Sequence, residues 1–234
     1  MAKPRRGGER GGKKTLPQGV TAQEKSGMKV GNDVYEFEGE LNYGENDPRV
    51  TKFARPVLEA WENKRRSNKI EYAYCVDVDG DVIGTEAKGG KGSVRVPLKF
   101  HMQPDSTFTH IHPRPEGSGY LGGTFSDADL NNFAKGNNRT ARAAAKEGTY
   151  SLSKLSNFDK NGFMSFVKAS DSEFEKAVRA SNKEIDSLYL NAKLSYSDYT
   201  KQRAKSFNTA LINLHEKYRQ NQEKYGYVYT LEKI

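Results

Sequence analysis

Cys75 is the only cysteine in 234 residues. It can close no internal disulfide, and a Cys-rich structural zinc site is excluded with it. A lone thiol fits a cytoplasmic setting and reads most simply as a small core residue. Long apolar runs are missing as well: no stretch approaches the roughly 18–20 residues that a membrane span needs. Mean hydropathy is −0.87 and hydrophobic residues make up 35%. One modest core and no membrane partner are therefore expected. No apolar segment follows the basic start of the chain, so no secretory signal is expected either. Repeats at solenoid or propeller periods are absent from the sequence.

Acidic residues are scarce at one end. Residues 1–30 carry eight Lys and Arg against Glu9 and Glu24, so +6 of the chain's +8 lies there. Gly7, Gly8, Gly11 and Gly12 dilute the same stretch. Such a composition buries too little apolar surface to offset its chain entropy, and residues 1–33 are expected to be a disordered arm. A nucleic acid or another acidic partner suits residues 1–30 through counterion release. A solvated, solubilising arm suits them equally, and the lack of interleaved aromatics argues against base recognition.

Residues 34–68 read as an N-terminal extension. Val34 to Leu41 alternates loosely, as a short strand or extended arm does. Asp47-Pro48 is a helix-start signal, and Phe53, Val57, Leu58 and Trp61 then predict an amphipathic helix over Val50–Lys64. A β-rich run over 70–78 follows, turned at Asp79-Gly80 into a return strand over 81–85. Further strands are expected at Ser93–Pro97, Ser106–His112, Thr149–Leu155 and Gly162–Val167, with a glycine-rich loop over Arg114–Phe125 and a helix from Ser126. Residues 171–234 predict a helical hairpin: one helix over Ser172–Asn191, a second capped by Ser195 and running to Lys224, then a closing strand after Gly226. The fold class is α+β, a mixed, mostly antiparallel sheet flanked by helices, with the hairpin appended.

His110 and His112 carry the chemistry. A strand has period two, so both imidazoles point to one face and can converge on one metal ion. A catalytic zinc takes three protein ligands and leaves one position for water. Asp129, in the first turn of the helix from Ser126, is the third candidate. Glu71 is the candidate general base, because it sits on a neighbouring strand and leads into an apolar run; Glu86 is its rival. Ser126 is placed to donate to a developing oxyanion. Each residue also has a plain explanation. A His-x-His pair arises by chance, and Ser126-x-x-Asp129 is an ordinary N-cap box. Acids at Asp77, Asp79 and Asp81 lack the spacing of a calcium loop and read as a solvated turn. His101 and His215 have no evident partners; His215 reads as a surface or interhelical contact.

The order Glu71, His110-x-His112-Pro113, Ser126-x-x-Asp129 resembles the motif of the JAB/MPN (JAMM) metalloproteases. The resemblance covers residues 69–170. It implies a JAB/MPN-like domain with cytidine-deaminase-like layering, Zn2+ held by His110, His112 and Asp129, Glu71 as acid and base, and Ser126 at the oxyanion. Two features depart from the pattern: thirteen residues separate His112 from Ser126, where the family usually has fewer, and the Asp77–Asp81 turn is unusual. The layout is more similar to bacterial, phage and mobile-element members than to eukaryotic deubiquitinases, and the basic start and the Tyr225-Gly226-Tyr227 ending are similar to phage-encoded proteins. The function so implied is a zinc-dependent metalloprotease or isopeptidase that hydrolyses an amide of a protein or peptide substrate, a ubiquitin-like conjugate among them. The setting is the cytoplasm of a bacterial or phage-infected cell, or a virion. The alternative is a structural or assembly protein with the same fold, whose basic arm touches nucleic acid and whose hairpin binds a protein partner. A nuclease or toxin using the same ligands is a third reading, less suited to a single zinc.

Overall fold

A computed structural model describes residues 41–113 and 119–234. The basic arm, the alternating stretch at 34–40 and residues 114–118 of the glycine-rich loop lie outside the described residues.

Among the described residues twelve elements follow in chain order: α1 (Ala54–Arg65), β1 (Tyr72–Val76), β2 (Ala87–Lys88), α2 (Leu98–Met102), β3 (Thr107–Ile111), α3 (Asp127–Lys135), β4 (Thr140–Ala145), β5 (Gly148–Lys154), α4 (Lys160–Leu190), α5 (Tyr196–Gln220), α6 (Gln222–Tyr225) and β6 (Tyr227–Glu232). The six strands form one sheet in the order β2-β1-β3-β4-β5-β6. Only β3 and β4 run parallel, with α3 as their crossover; the other four pairings are antiparallel. The α+β class and the mixed sheet are therefore as expected.

Register assigns the two faces. Ala73 lies opposite His110 and Cys75 opposite Phe108, and the same row continues through Ala141 and Ala143 to Tyr150 and Leu152. This face packs on Phe133 of α3, Phe163 of α4 and Leu211 of α5. Cys75 is fully buried in it, as a small core residue should be. The other face carries Val76, Ile111 and Ala144, which pack under Leu58 and Trp61 of α1. It also carries charge. Arg142 reaches Glu62 at 2.7 Å and Glu232 at 2.8 Å, and all three are buried.

Several elements differ from expectation. Helix α1 starts at Ala54, not Val50, where the Thr51 hydroxyl accepts from the Ala54 N–H. Asp47 does not cap it. Its carboxylate accepts instead from Ser153 at 2.6 Å, and its N–H donates to Glu232 at 2.7 Å. Phe53 leaves the apolar stripe and stands exposed. The return strand at 81–85 shrinks to a Val76–Val82 bridge, although the Asp79-Gly80 turn forms, with Gly80 at φ +89°. Ser93–Pro97 alternates because Val94 and Val96 face the core while Ser93 and Arg95 face water, yet it has no sheet partner among the described residues. The alternation reported a half-wet surface rather than a ladder.

Strand β4 was not anticipated, and Gly162–Val167 is no strand. Those residues open α4, which starts twelve residues before the expected Ser172 and is capped by Asp159 accepting from Gly162 N–H. Phe163, Val167 and Ser170 are buried at helical spacing. The hairpin of α4 and α5 forms, tied by Asp186 to Arg203 at 2.7 Å and by Glu173 to Lys217. It is not an appendage. A boundary after residue 170 falls inside α4, and β6 pairs along β5. Gly226, in the left-handed region at φ +67°, makes the turn into β6. No helix among the described residues is long and apolar enough to cross a membrane.

Candidate metal centre

His110 sits on the inner face of β3 and is almost fully buried. His112 lies just past the strand, but its N–H still donates to the Ala144 carbonyl at 3.0 Å. The backbone stays extended there, so both rings share a face. Ser126 caps α3 in a full capping box, its hydroxyl accepting from Asp129 N–H and its own N–H donating to the Asp129 carboxylate. The cap and the site use one carboxylate. Asp129 Oδ2 stands 3.3 Å from His110 Nε2 and 3.7 Å from His112 Nε2, and the two Nε2 atoms are 2.7 Å apart. Antiparallel register carried one step past β1 places Glu71 across from His112, on the same side as Ala73 and His110. Glu71, the three convergent residues and Ser126 line one cavity of about 390 Å³.

The three donors fit a zinc ion. A tetrahedral zinc with bonds of about 2.0–2.1 Å separates its ligands by roughly 3.3 Å. Two of the observed separations meet that value or exceed it slightly, and the imidazole pair need open only a little. Without a cation between them, two Nε2 lone pairs at this distance repel unless a proton sits there. His112 Nδ1 bonds the Gly123 carbonyl at 3.2 Å, which fixes Nε2 as the free nitrogen. His110 Nδ1 is enclosed and has no hydrogen-bond partner among the described residues.

Electrostatics follow from this crowding. Burial disfavours the His110 cation, but Asp129 and Glu71 outweigh it and raise its pKa. Burial and the charge of His110 push His112 down. Asp129 would be raised by burial, yet the two histidines hold it far below the usual carboxylate range. Glu71 is raised by burial, with His110 opposing and Asp129 adding a smaller push upward.

The five expected residues are brought together, and the rival base is not among them. Glu86 accepts from Trp61 Nε1 at 2.6 Å and from Arg65 at 2.7 and 2.9 Å, away from the cavity. Ser126 spends its one hydroxyl proton on Asp129 Oδ2 at 2.6 Å, so here it holds a ligand rather than facing an oxyanion. The Asp77–Asp81 acids form a turn in which Asp77 Oδ1 accepts from the Asp79 and Asp81 N–H groups. His215 is buried against the sheet rather than on the surface.

The inner wall of the cavity has no counterpart among the residues expected from sequence. His101 lies on α2, a five-residue helix in a stretch to which no element was assigned, and it lines the cavity with Asn132, Asn138, Phe108 and Phe133. Burial lowers its pKa, while Asn138 and Asp129 favour its proton. Nothing in its neighbours Phe100 and Met102 marks it in sequence. Compared with known proteins, the chain matches no family model, no curated protein and no solved structure.

Proposed function

We propose that this chain is a zinc-dependent hydrolase acting on amide bonds, with sheet-and-helix layering of the JAB/MPN type. One observation carries the reading: two imidazole nitrogens and a carboxylate oxygen converge inside a cavity that also holds the half-buried Glu71. His110, His112 and Asp129 would hold the ion, and bound zinc supplies an acidified water and a polarised carbonyl. Glu71 takes the proton of the attacking water on its carboxylate, and its raised pKa suits it to hold that proton. It then passes the proton to the leaving amine nitrogen. Ser126 keeps Asp129 in place through its hydroxyl and N–H. Phe108, Val94 and Val96 restrict water on the inner side of the cavity. A protein or peptide substrate and a cytoplasmic setting go with this reading.

The test is purified full-length chain, assayed for zinc and for cleavage of a quenched fluorogenic peptide library and a ubiquitin-like isopeptide conjugate. One zinc per chain is expected. Glu71→Gln should keep the zinc and lose about 10²–10⁴-fold in turnover. A chain without zinc, or Glu71→Gln as active as the wild type, would sink the proposal.

A further inference from the structure

Thirteen residues lie between His112 and Ser126, and a segment of that length does not by itself bring Asp129 back to the histidines. Its second half is nonetheless buried from Leu121 through Phe125. Two side chains from distant elements hold it. Glu147, in the turn between β4 and β5, accepts from Gly122 N–H at 2.8 Å and from Gly123 N–H at 3.1 Å. Asn208, fully buried in the middle of α5, accepts from Leu121 N–H at 2.9 Å and donates to the Gly119 carbonyl at 2.9 Å. Gly123 in turn offers its carbonyl to His112 Nδ1.

We propose that Glu147 and Asn208 are positioning residues of the metal centre, clamping Gly119–Gly123 so that His112 and the start of α3 meet His110. The inference rests on the zinc reading above. Four features of the residues themselves support it. The Glu147 carboxylate receives three donors, the third being the Tyr150 hydroxyl at 2.7 Å. Only an acceptor at both oxygens satisfies two adjacent N–H groups and a hydroxyl, so an amide in its place would set N–H against N–H. A Cβ on Gly122 would meet Ala145 Cβ and a Glu147 oxygen, so the close approach needs glycine. Gly123 sits at φ +88°, where other L-residues are strained. The diglycine and the carboxylate thus form one device, and its output is the carbonyl on a ligand imidazole. Partners in this outer position orient the ring and fix its tautomer, and their loss weakens metal binding.

The experiment uses the full-length chain and the metal alone. Zn2+ affinity is measured by competition with a chromophoric chelator, and ligand geometry by the visible absorption of the Co2+-loaded protein. Glu147→Gln should weaken Zn2+ binding about 10–100-fold and alter the Co2+ bands. Asn208→Ala should act in the same direction. A purely structural role would lower the melting temperature of the metal-free chain and leave the affinity and bands of the folded fraction unchanged. Folded variants with wild-type affinity and spectrum would overturn the inference while leaving the zinc reading intact. Where Glu147→Gln does not fold, Gly123→Ala puts the same question from the loop, and wild-type affinity there is equally fatal. A wild-type chain that binds no metal removes both proposals at once, which distinguishes the two failures.

Discussion

The His215 ring lies flat on Tyr150, with centroids 4.7 Å and planes 3° apart, and its Nδ1 meets the Tyr229 hydroxyl. Its Nε2 is buried without a partner among the described residues. Burial, helped by Arg219, pushes its pKa down to about 3. The unfolded chain protonates this residue near pH 6.5, and the folded chain resists until about pH 3. Between those values the unfolded state binds the extra proton, so stability is full above about pH 6.5 and falls as the pH drops. The effect is on the order of several kcal/mol. His215→Phe keeps the ring on Tyr150 and removes the titration. Its urea stability should change less between pH 6.5 and 3 than that of the wild type. Equal slopes would show that His215 does not govern acid sensitivity. Carboxylates such as Asp129 destabilise with the same sign at low pH, but they are common to both chains.

At the scale of elements, two helices begin with the same local device. Ser126 caps α3 and bonds Asp129 Oδ2 at 2.6 Å; Ser195 caps α5 and bonds Asp198 Oδ2 at 2.6 Å. Both Ser-x-x-Asp boxes are plain in the sequence: the Ser195 box reads as a cap, and a cap is the plain alternative to the oxyanion role expected of Ser126. What separates them is which strand end the helix meets, and that is tertiary. Ser195→Ala should cost about 1 kcal/mol in urea unfolding and leave zinc affinity alone. Ser126→Ala should cost a similar amount and also weaken zinc. Identical metal affinity in the two variants would refute the link between cap and site. The same division explains what was legible. His110, His112 and Glu71 could be placed because period two and chain order carry over to space. Strand β4 could not, because Ala141, Ala143, Ala144 and Ala145 have weak strand preference and all its residues are buried, so no alternation survives. His101, Glu147 and Asn208 carry no local signal at all: their roles exist only once α2, the β4–β5 turn and α5 have docked.

Across the whole molecule, the buried charges tie distant segments. Glu62 of α1 receives Arg142 at 2.7 and 3.0 Å and the Thr109 hydroxyl at 2.8 Å. Burial alone would raise its pKa, yet Arg142 holds it below the usual value. Arg142 also reaches Glu232, which accepts from Arg55 at 3.2 Å and from Asp47 N–H. Removing one member leaves the others charged and dry. Arg142→Met should therefore cost about 3–5 kcal/mol or prevent folding, read by urea denaturation. A loss under 1 kcal/mol would mean that the carboxylates are rehydrated or protonated at little cost. Glu62, with its lowered pKa, contributes stability above its unfolded pKa and loses it as the pH falls through the folded one.

Strand β6 fixes the order of events when the chain is made. It carries Glu232, and it is synthesised after every other described strand. Until it leaves the ribosome, Arg142 lacks one carboxylate, Asp47 N–H lacks its acceptor and β5 keeps a bare edge. The bond from the Asp47 N–H to Glu232, which ties an early segment to β6, joins residues 185 apart in sequence, so it forms late. Asn208 on α5 also follows His110 and His112 in sequence, so the loop it holds is fixed only after α5 is made. The candidate ligands His110, His112 and Asp129 are therefore made well before the segments that wall them in, and the cavity takes shape only once α5 and β6 have docked.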